Sequence, residues 1–197
     1  PSLQMQELVT GPSETRMAQL SDGTIVYLAP NSTLRVKPTP GVRETWLDGR
    51  AFFGVAKHGQ DWPFLVRTDR GVVHVLGTRF EVATEEERLR LVVVDGTVDL
   101  ATGGEKVQLH SGEMSLARPD SQAVVVQVEN VEELLEWMGA SLVFENTSLE
   151  KAAREIESRY GATIEVRGEE LGRRTTSGGF TDRSFDEIIS IICRVTS

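Results

Sequence analysis

The chain has 197 residues, 39% of them apolar and 26% charged, and its 21 Lys and Arg against 30 Asp and Glu give a net charge of −9. This is the composition of a globular protein of one or two domains, and it excludes wholesale disorder. The negative charge and the scattered basic residues, with Arg173-Arg174 the only adjacent pair, argue against nucleic acid, whose phosphates call for a basic patch.

No run of about 18 apolar residues is present to form a membrane span. The chain begins at Pro1 without a Met and ends in Arg-Val-Thr-Ser, and it reads as a portion of a longer protein. The single Cys193 excludes an internal disulfide. It lies in an apolar helical run and reads as a small buried hydrophobe rather than a reactive thiol.

From residue 15 to 128 the chain reads as nearly continuous β-structure: short runs rich in Val, Leu, Phe and Thr alternate with Gly-containing turns. Strands are expected at 16–20, 24–28, 33–37, 43–48, 50–57, 64–68, 71–76, 79–84, 89–94, 97–101, 105–109, 113–117 and 122–128. The expected fold of this part is a mainly β, antiparallel, sandwich-like domain. Asp22-Gly23, Asp48-Gly49, Asp95-Gly96 and Ser111-Gly112 each stand between two such runs. Asp or Ser bonds locally to the backbone and Gly supplies positive φ, so these residues read as turn formers rather than as acids or metal ligands. Asp95-Gly96 is the strongest hairpin signal of the four. Glu85-Glu86-Glu87 reads as a solvated loop tip.

The pattern changes near residue 129. Asn130 with Glu133 three residues on signals a helix start. Leu134, Leu135, Trp137 and Met138 follow, and Gly139 ends the helix. Residues 129–140 are therefore expected to be a short helical connector. Residues 141–197 are expected to form a small α+β module with βαβ-type units. Its predicted order is a strand at 141–145, a helix opened by the capping box Thr147 to Glu150, a stop at Gly161, strands at 162–166 and 175–181, and a helix opened by Ser184 with Glu187.

No metal site is expected, because His58, His74 and His110 are isolated and no HxH, HxxxH or CxxC occurs. No GxSxG, P-loop or GxGxxG motif is present, and no cofactor is implied. Trp46 and Trp137 read as core residues; exposed Trp46 or Trp62 would instead suit an aromatic platform of a carbohydrate-binding β-sandwich, the alternative reading. Arg173-Arg174 reads as a solvated edge. Gly77-Thr78 is the one candidate bond for backbone self-cleavage. A Thr hydroxyl can attack the preceding carbonyl carbon, provided a small residue precedes it and the backbone is held in place. The competing reading is a tight bend between strands.

The ordered blocks Leu20-Ser-Asp-Gly-Thr-Ile-Val-Tyr-Leu28 with Asn31 to Leu34, Leu47 to Ala56, Pro63 to Thr68, Gly71 to Val82, Val94 to Val98 and Leu109 to Glu113 together resemble the FecR-type anti-sigma regulators. Trp137 to Phe144, Leu149 and Tyr160-Gly161 continue the resemblance into the C-terminal part. It implies the periplasmic region of a single-pass inner-membrane protein, an all-β FecR domain followed by a module similar to secretin/TonB short N-terminal (STN) domains. The implied partners are the N-terminal signalling domain of a TonB-dependent outer-membrane transporter, typically one for iron chelates, and an extracytoplasmic-function (ECF) sigma factor bound through a cytoplasmic segment. The role implied is regulatory, not enzymatic, although some members of the family cut themselves at a Gly-Thr bond, which here would be Gly77-Thr78. The chain departs from the family in having Gly49-Arg50 where Gly-Glu is common. It also stops before the further strand that an STN-like module has after its second helix, which would leave a sheet edge open to a partner strand.

Overall fold

The computed structural model describes residues 5–39, 41–59, 62–85, 87–118 and 122–196. Pro1, Glu86 of the expected acidic loop tip and Ser197 lie outside them. The chain divides into two compact units between Trp137 and Met138.

The first unit is built from β1 (Gln6–Val9), β2 (Arg16–Gln19), β3 (Ile25–Leu28), β4 (Thr33–Thr39), β5 (Val42–Asp48), β6 (Arg50–Gly54), β7 (Phe64–Arg67), β8 (Val72–Val75), β9 (Arg79–Glu85), β10 (Arg88–Asp95), β11 (Thr97–Thr102), β12 (Glu105–His110), β13 (Glu113–Ala117) and β14 (Val124–Gln127). They form two seven-stranded sheets, β1-β4-β5-β7-β8-β11-β12 and β14-β13-β10-β9-β6-β3-β2. Pairing is antiparallel throughout except between β5 and β7, which run parallel. Alternate residues face inward, and Val26, Leu28, Leu34, Phe53, Phe64, Val66, Val73, Phe80, Val82, Leu91, Val98 and Leu100 form one core. Phe53 stacks on Phe80 with centroids 5.2 Å apart and meets Phe64 edge-on at 6.0 Å.

The Asx-Gly steps have a larger role than turns. Only Asp22-Gly23 closes a hairpin, β2 to β3. Asp48-Gly49, Asp95-Gly96 and Ser111-Gly112 each carry the chain from one sheet to the other. The hairpin expected at Asp95-Gly96 is therefore a corner: β10 pairs with β9 and β13, and β11 with β8 and β12. The local chemistry is the same in both cases, since each glycine has positive φ (+98° at Gly49, +100° at Gly96, +82° at Gly112). At Gly49 a Cβ would lie 2.8 Å from the Ser32 Cα and 2.9 Å from the Asn31 carbonyl oxygen. Gly49→Ala is expected to cost about 2 kcal/mol or more, from strain at positive φ combined with this contact, read as a lowered urea midpoint.

Trp46 corrects the sequence reading. On β5 the buried positions are Arg43, Thr45 and Leu47, so Trp46 faces outward, with the Lys37 ammonium 5.7 Å from its ring centroid. The first unit ends with α1 (Val131–Leu134) and a 3-10 turn, Glu136–Met138, that crosses the division between the units.

The second unit holds β15 (Leu142–Ser148), α2 (Leu149–Tyr160), α3 (Glu169–Arg173), β16 (Thr175–Phe180) and α4 (Phe185–Thr196). Its core is Leu142, Phe144, Leu149, Ala152, Ile156, Phe180, Ile188 and Ile192. The strand expected at 162–166 is irregular backbone; the Glu157 carboxylate accepts the Ile164 N–H at 2.6 Å, taking a donor that a ladder would use. β15 and β16 pair antiparallel. Ser148, not Thr147, caps α2 and accepts from Lys151 N. Gly161 ends the helix at φ 63°. Cys193 is exposed, contrary to the buried reading, because Ile188 and Ile192 occupy the inward face of α4 and residue 193 is turned away from it.

The capping box of α4 forms as expected. Ser184 N and Oγ each donate to Glu187 Oε2 at 2.9 Å. These bonds, the backbone N–H of Ser184 first and then its hydroxyl and Arg183, hold the Glu187 carboxyl below its ordinary value. A lowered folded pKa means that this stabilisation is present at neutral pH and is lost as pH falls through the carboxylate range. Ser184→Ala is expected to cost about 1 kcal/mol. In a chemical-denaturation series, that difference should shrink below pH 4.5, the ordinary value for Glu.

Candidate functional site

Leu76-Gly77-Thr78 is the segment between β8 and β9, and those strands belong to different sheets. The candidate bond is thus itself a crossover, packed against a second one, Asp95-Gly96-Thr97. Thr78 is buried, and its hydroxyl donates to the Thr97 carbonyl at 3.0 Å. Its own carbonyl accepts from Val55 N at 3.0 Å. Glycine is required at 77 by close approach and at 96 by a φ of +100°, with a tight contact added. A Cβ on Gly77 would lie 2.7 Å from the Lys57 Cβ, and one on Gly96 would lie 3.0 Å from the Thr78 hydroxyl oxygen and 3.3 Å from the Gly77 carbonyl oxygen. Gly77 has no positive φ, so its glycine serves space rather than backbone twist.

The bond borders an open cleft of about 370 Å³ whose polar lining includes Lys57, His74, Asp99 and Gln108. His74 and Asp99 are cross-strand partners with Nδ1 and Oδ2 3.8 Å apart. Among the described residues no three His, Cys, Asp or Glu side chains lie close enough to hold a metal ion.

Two buried charge clusters in this unit were not anticipated from the sequence. Arg43 donates to Asp22 Oδ2 (2.9 Å), to the Ala56 carbonyl (2.7 Å) and twice to the Trp62 carbonyl (3.1 and 2.9 Å), and its guanidinium lies over the Trp62 and Phe64 rings. Trp62 is 38% exposed, but its ring is already engaged by this cation and by His58. In the second cluster Glu81 has no exposure and accepts from Arg50 Nε (3.0 Å), Arg50 Nη2 (3.2 Å), Arg90 Nη2 (2.7 Å) and the Trp137 indole N–H (3.4 Å). Arg50 also donates to the Leu134 carbonyl at 2.9 Å and lies 4.7 Å from the Trp137 ring centroid. Trp137 stacks on Tyr27 at 5.5 Å. This cluster fastens the segment around α1 to the outer face of the second sheet. In the sequence these residues show only as charges within β-type runs or at a turn, with no spacing that pairs them.

Two family models match the chain in order: FecR protein over residues 6–99 and FecR, C-terminal over residues 141–197. The chain belongs to the FecR family. Its fold is also that of two crystal structures of a protein assigned as an anti-sigma factor from Parabacteroides distasonis. The 1.65 Å structure has a TM-score of 0.64 and covers 97% of this chain and 92% of that one; the 2.50 Å structure has a TM-score of 0.65 and covers 98% and 92%. Both are 23% identical in sequence. No curated protein matches.

FecR membership extends over both units, the first model lying within the β-unit and the C-terminal model within the second unit. No helix among the described residues is long and apolar enough to cross a membrane. Arg50, expected to add an unmatched positive charge, forms an ion pair with Glu81. Trp137, expected in the core, closes the same cluster and is half-buried.

Proposed function

We propose that this chain is the periplasmic signalling region of a membrane-anchored anti-sigma regulator. It receives a signal from the N-terminal signalling domain of a TonB-dependent outer-membrane transporter, typically one for iron chelates, and passes it toward an ECF sigma factor. The observation that carries this reading is the ordered match of both FecR models onto a β-sandwich unit and a separate α+β unit. We place the all-β FecR domain at 6–128, its start moved forward from the expected residue 15 to take in β1, which pairs with β4, the connector at 129–140 and an STN-like module at 141–197. Such a division suits a relay: one folded unit meets the partner, and the other is joined to it by a short connector. Titration of this chain with the purified transporter signalling domain should give saturable 1:1 heat; no heat at any concentration would refute the input proposed.

Self-cleavage at Gly77-Thr78 is a second reading, favoured by the absence of room for any residue but Gly at 77 and by the adjacent open cleft. In this step the Thr78 hydroxyl oxygen attacks the Gly77 carbonyl carbon, and the C–N bond breaks. The Thr78 nitrogen is released as an amine while Gly77 is held as an ester. Water then hydrolyses the ester, leaving a Gly77 carboxylate and the free Thr78 hydroxyl. The pieces 1–77 and 78–197 would stay joined by the β6–β9 and β8–β11 ladders. Mass spectrometry after incubation at neutral pH should show two chains for the wild type and Thr78→Ser, and one for Thr78→Ala. A wild type that stays whole would refute it.

A further inference from the structure

The cleft beside Gly77-Thr78 holds a polar row that the fold lines up with the bond. Antiparallel pairing sets His74 of β8 opposite Asp99 of β11, with the apolar Leu65 of β7 on the other side of His74. Asp99 follows Thr97 by two residues, and the Thr97 carbonyl is the acceptor of the Thr78 hydroxyl. Residues two apart on a strand share a face and lie about 7 Å from each other. The His74-Asp99 pair therefore stands one such step along β11 from the point where Thr78 is held. Asp99 is itself fixed: Oδ1 accepts from Gln108 Nε2 at 2.8 Å, and Oδ2 lies 3.8 Å from His74 Nδ1. With Nδ1 turned to the carboxylate, Nε2 is the basic nitrogen of the ring. The His74 side chain is 41% exposed and lines the same cleft as Gly77 and Thr78. Of the described titratable side chains in that lining, Lys57 is a cation and Asp99 faces Gln108 and His74 with its two oxygens, which leaves the imidazole to accept a proton.

We infer that His74 is the base for the second half of the cut, taking a proton from the water that hydrolyses the ester; this rests on the self-cleavage reading above. As the water oxygen bonds to the Gly77 carbonyl carbon, a water proton passes to His74 Nε2, and the Asp99 carboxylate stabilises the imidazolium that forms. The bond from that carbon to the Thr78 oxygen then breaks, and the imidazolium gives its proton to the departing oxygen. The products are the Thr78 hydroxyl and a Gly77 carboxyl group, which loses its own proton to solvent. The first half of the cut belongs to the Thr78 hydroxyl, buried and oriented by the Thr97 carbonyl. Loss of the ring therefore slows hydrolysis of the ester and spares its formation. Asp99 acts only through His74, as a positioning residue.

Hydroxylamine separates the two halves, because it attacks the ester without help from a protein base. Wild type, His74→Gln and Asp99→Asn, each shown to be folded by circular dichroism, are incubated at neutral pH with and without it, and the fragments 1–77 and 78–197 are followed by mass spectrometry. In buffer alone His74→Gln should be cut about 100-fold more slowly than the wild type, the usual scale for loss of a general base, and Asp99→Asn should be slowed less. With hydroxylamine all three should be cut at one rate, with Gly77 released as its hydroxamate. His74→Gln cut in buffer at the wild-type rate would overturn the inference and leave self-cleavage standing. His74→Gln that stays whole even in hydroxylamine would also overturn it, because the ring would then act on ester formation or on the fold. A wild type whole under both conditions would remove self-cleavage itself, and the inference with it.

Discussion

Glu81→Ala is expected to destabilise the first unit by about 3–5 kcal/mol, the cost of breaking a buried ion pair by removing one partner. The carboxylate has no exposure, and it is the shared acceptor for Arg50, Arg90 and the Trp137 indole. Removing it leaves two guanidinium groups beside each other with no counter-charge. The value should fall at the lower end of the range, because Arg50 and Arg90 keep 19% and 23% exposure and water can partly replace the carboxylate. Urea unfolding would give the loss. Trp137 fluorescence should shift to the red in the folded variant as the connector loosens. An unchanged midpoint would mean that the cluster is an incidental contact.

Arg43→Met should have a similar effect, about 3–5 kcal/mol, through a different part of the unit. The guanidinium joins Asp22 at the β2–β3 turn to the Ala56 and Trp62 carbonyls, so one side chain ties the turn to two positions on the connection between β6 and β7. Met keeps much of the apolar stem but leaves a carboxylate of 8% exposure without its partner. Asp22→Asn combined with Arg43→Met should therefore cost less than the sum of the single substitutions, since the groups share one interaction. Strict additivity would show that the two residues act independently.

Much of the β-unit was legible because most strands alternate and many turns carry Gly, but the sequence could not distinguish a hairpin from a corner. Gly23 and Gly96 both adopt positive φ; only the long-range pairing separates them. β1 is a four-residue edge strand containing Glu7, too short and polar to stand out. Arg43 reversed the apparent parity of β5: the strand seemed to bury Trp46, yet the inward face was set by Leu47 and shared with a charged side chain. In the second unit, Ala162 to Val166 alternates like a strand, but the Glu157 side chain takes one of its backbone donors. The Gly77-Thr78 bond was visible as a motif. Its position at a crossover, and the need for glycine at 77, emerge only when two corners distant in sequence pack together. Glu81 carried the least signal of all, because its partners lie at positions 50, 90 and 137.

The most direct test of the relay is recovery of partners from an envelope extract of the parent organism with this chain as bait, read by mass spectrometry. The account predicts a TonB-dependent transporter among the captured proteins, retained by its N-terminal signalling domain and lost when that domain is added free as competitor. Capture of inner-membrane proteins alone, or of none, would contradict the transporter as the source of the signal.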